Sequence, residues 1–396
     1  MSRLSVVSVF VGIALLSPGL QAQDIPTTPG FHGSISCVGA PGQRFNMYLP
    51  SAYAEHPDRL FPVLLISSPT AKPHTRRFRD WADEHGFVVI GLLNSRNGPY
   101  ENNMRNQDAV DATLALPALR MHPHLRYALG GSGGGSSSMA WVARKPDQFA
   151  GLHLAIHSGS GQAMPKHLVM SFFARVDDET HPISAIDQAV ARYRRDGHVL
   201  LYERFPSGGH SGPPAEVQEA HVSWMYWNTL LNHPRHSQQD IQAGWQILGE
   251  RHARLAGQSD LAKRMRDLEM LLEVASIRAS PLGRDFLALW VETLTEQMTT
   301  ASTELERLWL LVDASEKTWY PGVENNVRRE HTAELRALSR QSELRDEIAA
   351  FQAYGRAKEM ATNARNPRSQ NEAAQAFKAI AERFPGTRYG AKAAER

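Results

Sequence analysis

The stretch Tyr127-Ala128-Leu129-Gly130-Gly131-Ser132-Gly133-Gly134, running on into helix-compatible residues 136–144, decides how the chain is read. A short apolar strand meets a G-x-S-x-G pattern and then a helix. In that context a serine sits on a sharp strand-to-helix turn with its hydroxyl exposed. The glycines at 130, 133 and 134 permit the close backbone approach such a turn requires. A flexible Gly/Ser connector is the bland alternative, but a connector has no place between an apolar strand and a good helix inside one compact unit. A phosphate-binding loop would need G-x-x-x-x-G-K-[ST], and no lysine follows until Lys145.

Outward from this turn, short apolar runs alternate with helical patterns. Strands are predicted at 44–49, 62–67, 87–92, 127–129, 152–156, 168–174 and 199–205, with helices at 75–85, 106–119, 136–145 and 185–196. Such alternation predicts an α/β fold with a mostly parallel sheet and crossover helices, in which working groups sit at the carboxyl ends of strands.

A serine hydroxyl is a weak nucleophile at neutral pH and needs a base, itself oriented by a carboxylate. Both follow in order. The strand at 199–205 leads into Pro206-Ser207-Gly208-Gly209-His210, and the strand at 168–174 leads into Asp177-Asp178-Glu179. The chain holds 17 histidines, so composition alone selects none of them. His210 is singled out by its place after the last predicted strand. Either Asp177 or Asp178 can serve as the acid, although a carboxylate cluster at a strand end is also a common solvated turn.

Residues from about 40 to 230 resemble the α/β-hydrolase superfamily, and most of all its secreted esterase branch, which includes polyhydroxybutyrate depolymerase-like proteins. The resemblance rests on Tyr48-Leu49-Pro50-Ser51-Ala52-Tyr53 leading to Phe61-Pro62-Val63-Leu64-Leu65-Ile66, on residues 82–90, on the turn at Ser132, on Pro146-Asp147-Gln148-Phe149-Ala150-Gly151 and on residues 205–210. It covers about half the chain. It implies a serine hydrolase that cleaves carboxylic esters through an acyl-enzyme, with Ser132 as nucleophile, His210 as base and Asp178 as the orienting acid. Asp178 is favoured over Asp177 because the family's acid commonly stands four residues before a proline, here Pro182. The resemblance also implies an oxyanion hole built from the N–H of Gly133 and a donor after the strand at 62–67. Relatives usually carry His-Gly there, whereas this chain has Ser67-Ser68-Pro69-Thr70. Proline has no N–H, which leaves Ser68 or Thr70 as the second donor. His157, close to the expected pocket, reads as a packing histidine or a substrate contact. The competing reading is a catalytically degenerate hydrolase fold that acts as a binding or scaffold protein at the cell envelope.

The remaining sequence sets the surroundings. Arg3, the apolar run 6–16, Pro18-Gly19 and Ala22 read as a signal peptide over residues 1–22, predicting a secreted or periplasmic protein with no transmembrane segment in the mature chain. A net charge of +2 gives no electrostatic reason for a nucleic-acid partner. One cysteine, Cys37, excludes an intramolecular disulfide, and no metal or organic cofactor is implied. Residues 1–239 hold 21 of the 29 glycines and 38 charged residues, against 8 glycines and 46 charged residues in 240–396. The break predicts a hydrolase domain over 23–239 and a helical domain over 240–396, with apolar stripes at Leu261, Met265, Leu268, Leu272 and Ala275 and at Leu305, Leu308, Leu311 and Val312. Near its end, Phe351, Tyr354, Ala357, Ala373, Phe377 and Ile380 resemble a tetratricopeptide-type helix pair, for which a protein partner docking through these helices and ordinary helical packing with no partner are equally open readings. Only 78 residues separate Ser132 from His210, too few for a lid domain, so the site should be open and suited to polymeric or carbohydrate-linked esters.

Overall fold

The apolar run before Ser132 belongs to a longer strand, β5 (Met121–Gly131), at the centre of an eight-stranded sheet in the order β1-β2-β4-β3-β5-β6-β7-β8. A computed structural model describes residues 25–159, 161–364 and 366–394; the predicted signal peptide lies outside the described residues. The other strands are β1 (Gly30–Cys37), β2 (Ala40–Leu49), β3 (Phe61–Ser67), β4 (Val88–Leu92), β6 (Phe149–Ala155), β7 (Val169–Arg175) and β8 (Leu200–Phe205). β1 and β2 pair antiparallel, β2 pairs antiparallel with β4, and the strands from β4 to β8 are parallel. This is an α/β-hydrolase-type sheet, followed by a largely helical remainder.

Burial explains why these runs became strands. Every residue of β3, β4 and β6 is buried, as parallel strands covered on both faces require. Successive residues of β5 point to opposite faces. Tyr127 meets Tyr226 of the helix Ala215–Thr229, while Ala128 joins the core cluster that contains Trp141 of the helix Gly133–Arg144. On β2 only alternate residues, Phe45, Met47 and Leu49, are fully buried. β1, with the sequence GFHGSISC, carries a weak alternation of Phe31, Ile35 and Cys37 broken by Gly33, and lies outside the predicted strands; it forms as an edge partner of β2. The predicted helix 106–119 instead runs Tyr100–Leu114, because its amino half is polar and its buried face includes Asn103, Asn106 and Gln107 rather than aliphatic side chains.

A charged group is buried beneath this layer. Arg126 donates to Asp111 (3.0 Å) and to Gln148 (3.0 Å), and Trp141 donates its indole N–H to the other Asp111 oxygen (2.9 Å). These bonds tie the middle of β5 to two helices, one of them the helix that follows Ser132.

The chain divides after Trp245, a few residues beyond the compositional break. The second unit is all helical, with principal helices Leu261–Glu273, Pro281–Thr300, Glu304–Ser315, Asn325–Leu338, Arg345–Asn363, Pro367–Arg383 and Arg388–Ala394. Met265, Leu268 and Leu272 are buried, but Ala275 is exposed because the helix stops at Glu273 and Val274 is extended. Leu308, Leu311 and Val312 are buried, and Leu305, in the first turn, is exposed. The helices Arg345–Asn363 and Pro367–Arg383 pack through Tyr354 and Phe377, whose rings lie 5.3 Å apart, with Tyr389 closing on Phe351 and Tyr354. No helix among the described residues is long and apolar enough to cross a membrane.

Removing Asp111 strands the Arg126 guanidinium in the core. Asp111→Ala should therefore lose about 3 to 5 kcal/mol in urea-induced unfolding. A loss below about 1 kcal/mol would show that the pair is structurally idle.

Candidate active site

Ser132 follows β5 and caps the next helix with φ 50° and ψ −128°, a conformation that L-residues rarely adopt. A strained serine between strand and helix is what the glycine pattern called for, and the packing shows how it is held. A Cβ on Gly130 would collide with the Gly134 backbone, and one on Gly134 would collide with the Ser67 carbonyl at the end of β3. The Ser132 N–H donates to the Ala155 carbonyl (3.1 Å), and its own carbonyl accepts from Gly135 (2.8 Å), the first bond of the new helix.

Ser132, His210 and Asp178 come together from three strand ends. Asp178 is fully buried at its side chain and can only accept, so it fixes the proton of His210 on Nδ1, which lies 3.0 and 2.9 Å from the two carboxylate oxygens. Nε2 then carries a lone pair and accepts from the Ser132 hydroxyl at 2.9 Å. Burial alone would raise the Asp178 pKa. The N–H of His181, the His210 bond and the N–H of Thr180 together outweigh it and hold the carboxyl below the ordinary carboxylate range.

Asp177 points elsewhere. It accepts from the backbone N–H groups of Gly209 (2.8 Å) and Gly208 (3.0 Å), which depress its pKa. Arg175, at the end of β7, donates to the carbonyls of Ser207, Ser211 (3.0 Å) and Gly212 (3.2 Å). These two charged residues clamp the loop that delivers His210. Neither role was legible, because a cluster at a strand end reads the same whether it serves a site or water. His181 also escaped notice; its ring stacks on His210 at 5.5 Å.

Gly133 opens the helix and Ser68 follows β3, whose last residue pairs with Gly130. The Ser68 hydroxyl accepts from the Thr70 N–H (3.3 Å), so that N–H is already engaged within the turn. His157 is buried and donates from Nε2 to Ser136 (2.8 Å) while Nδ1 accepts from Gly159 (3.0 Å). Burial, with His181 nearby, lowers its pKa to about 4.

Among the described residues, His122, His236 and Asp240 form a group whose possible ligand atoms lie within 4.8 Å of one another. It sits at the amino end of β5, the far end from Ser132. His122 Nδ1 accepts from the N–H groups of His124 (3.2 Å) and Leu125 (3.0 Å), which puts its proton on Nε2, facing Asp240 at 3.4 Å. A ring in that state has no free lone pair to give a metal, and the group reads as a hydrogen-bonded cluster.

No family model and no curated relative matches the chain. Among solved structures it is similar to a thermostable esterase, with 15% identity and TM-score 0.36, over 52% of this chain and 59% of that one. It is also similar to a Bacillus cereus carboxylesterase, with 13% identity and TM-score 0.36, over 46% and 93%. A third is the Staphylococcus aureus fluorophosphonate-binding serine hydrolase F, with 13% identity and TM-score 0.36, over 50% and 98%.

Acid should weaken the first unit through its buried histidines. Burial lowers His122 and His157 to about 4 and His233 to about 3. The unfolded chain protonates these rings near pH 6.5 and the folded chain does not, so stability is lost as pH falls from about 6.5 toward 4. The urea midpoint should drop steadily between pH 7 and pH 5, with a net uptake of at least about three protons on unfolding, since burial lowers His153 as well. A midpoint flat over that interval would contradict the assignment.

Proposed function

We propose that this chain is a serine hydrolase that cleaves carboxylic esters through an acyl-enzyme. The observation that carries the proposal is the continuous relay Asp178, His210, Ser132, with each proton direction fixed by its neighbour and the serine in strained backbone geometry. The Ser132 oxygen attacks the ester carbonyl carbon, its proton passes to His210 Nε2, and the carbonyl electron pair moves onto oxygen. Collapse of this intermediate breaks the bond to the alcohol, which leaves with the proton from His210. Water, deprotonated by His210, then releases the acid. The N–H of Gly133, at the start of the helix, faces the developing negative charge together with the helix dipole.

Access favours large substrates. The His210 side chain is 30% exposed, and between Ser132 and His210 the described residues hold only β6, β7, β8 and their connecting helices, with no added lid. Polymeric or carbohydrate-linked esters are accordingly the proposed class. Export across a membrane, through the segment at residues 1–22, is part of the same proposal and is tested by amino-terminal sequencing of the protein recovered from its producing cells. Pro69 favours the second reading, an inactive envelope scaffold whose helical unit docks a protein, because it removes a backbone donor from the expected hole.

Ser132→Ala should abolish hydrolysis of p-nitrophenyl butyrate without changing the melting temperature, and His210→Ala should cost as much, on the order of 10⁴-fold or more. Activity within a few-fold of the unaltered protein would exclude Ser132. Asp178→Asn should lower kcat by roughly 10³ to 10⁴-fold, because the relay loses its charge and tautomer control. Asp177→Asn keeps an acceptor for the loop and should cost less than about tenfold. The reverse ranking would move the acid to Asp177.

A further inference from the structure

Two of the groups after β3 are unavailable as the second oxyanion donor, and another group stands beside the place it would act. Pro69 has no N–H, and the Thr70 N–H is turned onto the Ser68 hydroxyl. The segment following β4 runs alongside this turn: Thr70 bridges to Arg96, and the Asn97 N–H donates to the Pro69 carbonyl at 2.8 Å. Asn97 therefore sits against the residue that lacks the donor.

Its side chain reaches the nucleophile turn. A Cβ on Gly133 would stand 2.8 Å from Asn97 Cγ and 3.4 Å from Nδ2, and closer still to Oδ1. That Cβ would branch from the same Cα that carries the Gly133 nitrogen, so the carboxamide lies next to the N–H that faces the developing oxyanion. A side chain at 133 would therefore push the Asn97 carboxamide away from this place. The backbone around Asn97 is held firmly, since Asn103 closes a reciprocal pair with Arg96, accepting from its N–H (3.0 Å) and donating to its carbonyl (3.1 Å). Asn97 itself is exposed, and its carboxamide bonds to none of the described residues. A half-turn about its last torsion exchanges oxygen and nitrogen at no cost in shape. A negative oxygen beside Gly133 selects the orientation with Nδ2 inward.

We propose that the Asn97 carboxamide is the second oxyanion donor, a side-chain N–H in place of the backbone N–H that Pro69 cannot supply. This rests on the serine-hydrolase reading above. It also explains how the site tolerates proline there: the donor comes from β4's following loop instead of from β3's.

The test uses the full-length protein. The unaltered protein is first assayed with p-nitrophenyl butyrate and labelled with a fluorophosphonate; failure of both would sink the underlying reading rather than this inference. Given activity, Asn97→Leu, nearly the same shape without a donor, should lower kcat by about 10² to 10³-fold with KM changed less than about threefold. Labelling of Ser132 should still reach completion, more slowly. Asn97→Asp should fall at least as far, because a carboxylate repels the oxyanion, and it keeps the proposal testable if the leucine variant fails to fold. Gly133→Ala combined with Asn97→Leu should be little worse than either alone. Asn97 variants within threefold of full kcat would overturn the inference, as would a larger loss in Ser68→Ala or Thr70→Val than in Asn97→Leu.

Discussion

Everything chemical in the first unit depends on one backbone constraint, the positive φ of Ser132 at the junction of β5 and its helix. Such a conformation costs about 1 to 3 kcal/mol and persists only when its surroundings over-determine it. Here the surroundings are the central strand of a sheet buried on both faces, a bond from Ser132 to the end of β6, and glycines whose hydrogens are the only atoms the neighbouring backbone admits. Release of the strain would swing the hydroxyl away from His210. The buried Asp111, Arg126 and Trp141 group belongs to the same device, since it anchors β5 to the helix that Ser132 starts.

Two adjacent carboxylates divide a task that neither could do alone. Asp178, sealed from solvent, fixes the tautomer of His210; Asp177, open to solvent, fixes the position of the loop that carries it. Neighbouring residues point in different directions, so one strand end supplies both orientation and placement. Arg175, the last residue of β7 and two residues before Asp177, adds a third hold on the same loop. The imidazole is thereby positioned by its own element and by a neighbouring one, which is the usual condition for a preorganised proton shuttle.

How legible a feature was in the sequence follows the range of the interaction behind it. The glycine run around Ser132 was readable because its meaning is local: a strand, a turn and a helix within about fifteen residues. Asp178 stood apart from Asp177 only through the resemblance, in which the acid stands four residues before a proline. The buried strands were readable from their apolar runs, but β1 was not, because an edge strand with one solvated face carries little hydrophobic signal. Arg175 and Asp177 were on view as charges with no indication of what they hold. Asn97 was invisible, because what brings it to Gly133 is the parallel pairing of β3 with β4 and β5, a long-range fact that no spacing encodes.

The central claim is that Ser132 is a nucleophile activated by His210, and covalent capture tests it most directly. The purified protein is treated with a fluorophosphonate, digested, and its peptides are sequenced by mass spectrometry. A single adduct on the Ser132 oxygen is expected, slowed by competing ester substrate and lost in His210→Ala. A folded protein that stays unlabelled, or that is labelled at a serine other than Ser132, would contradict it.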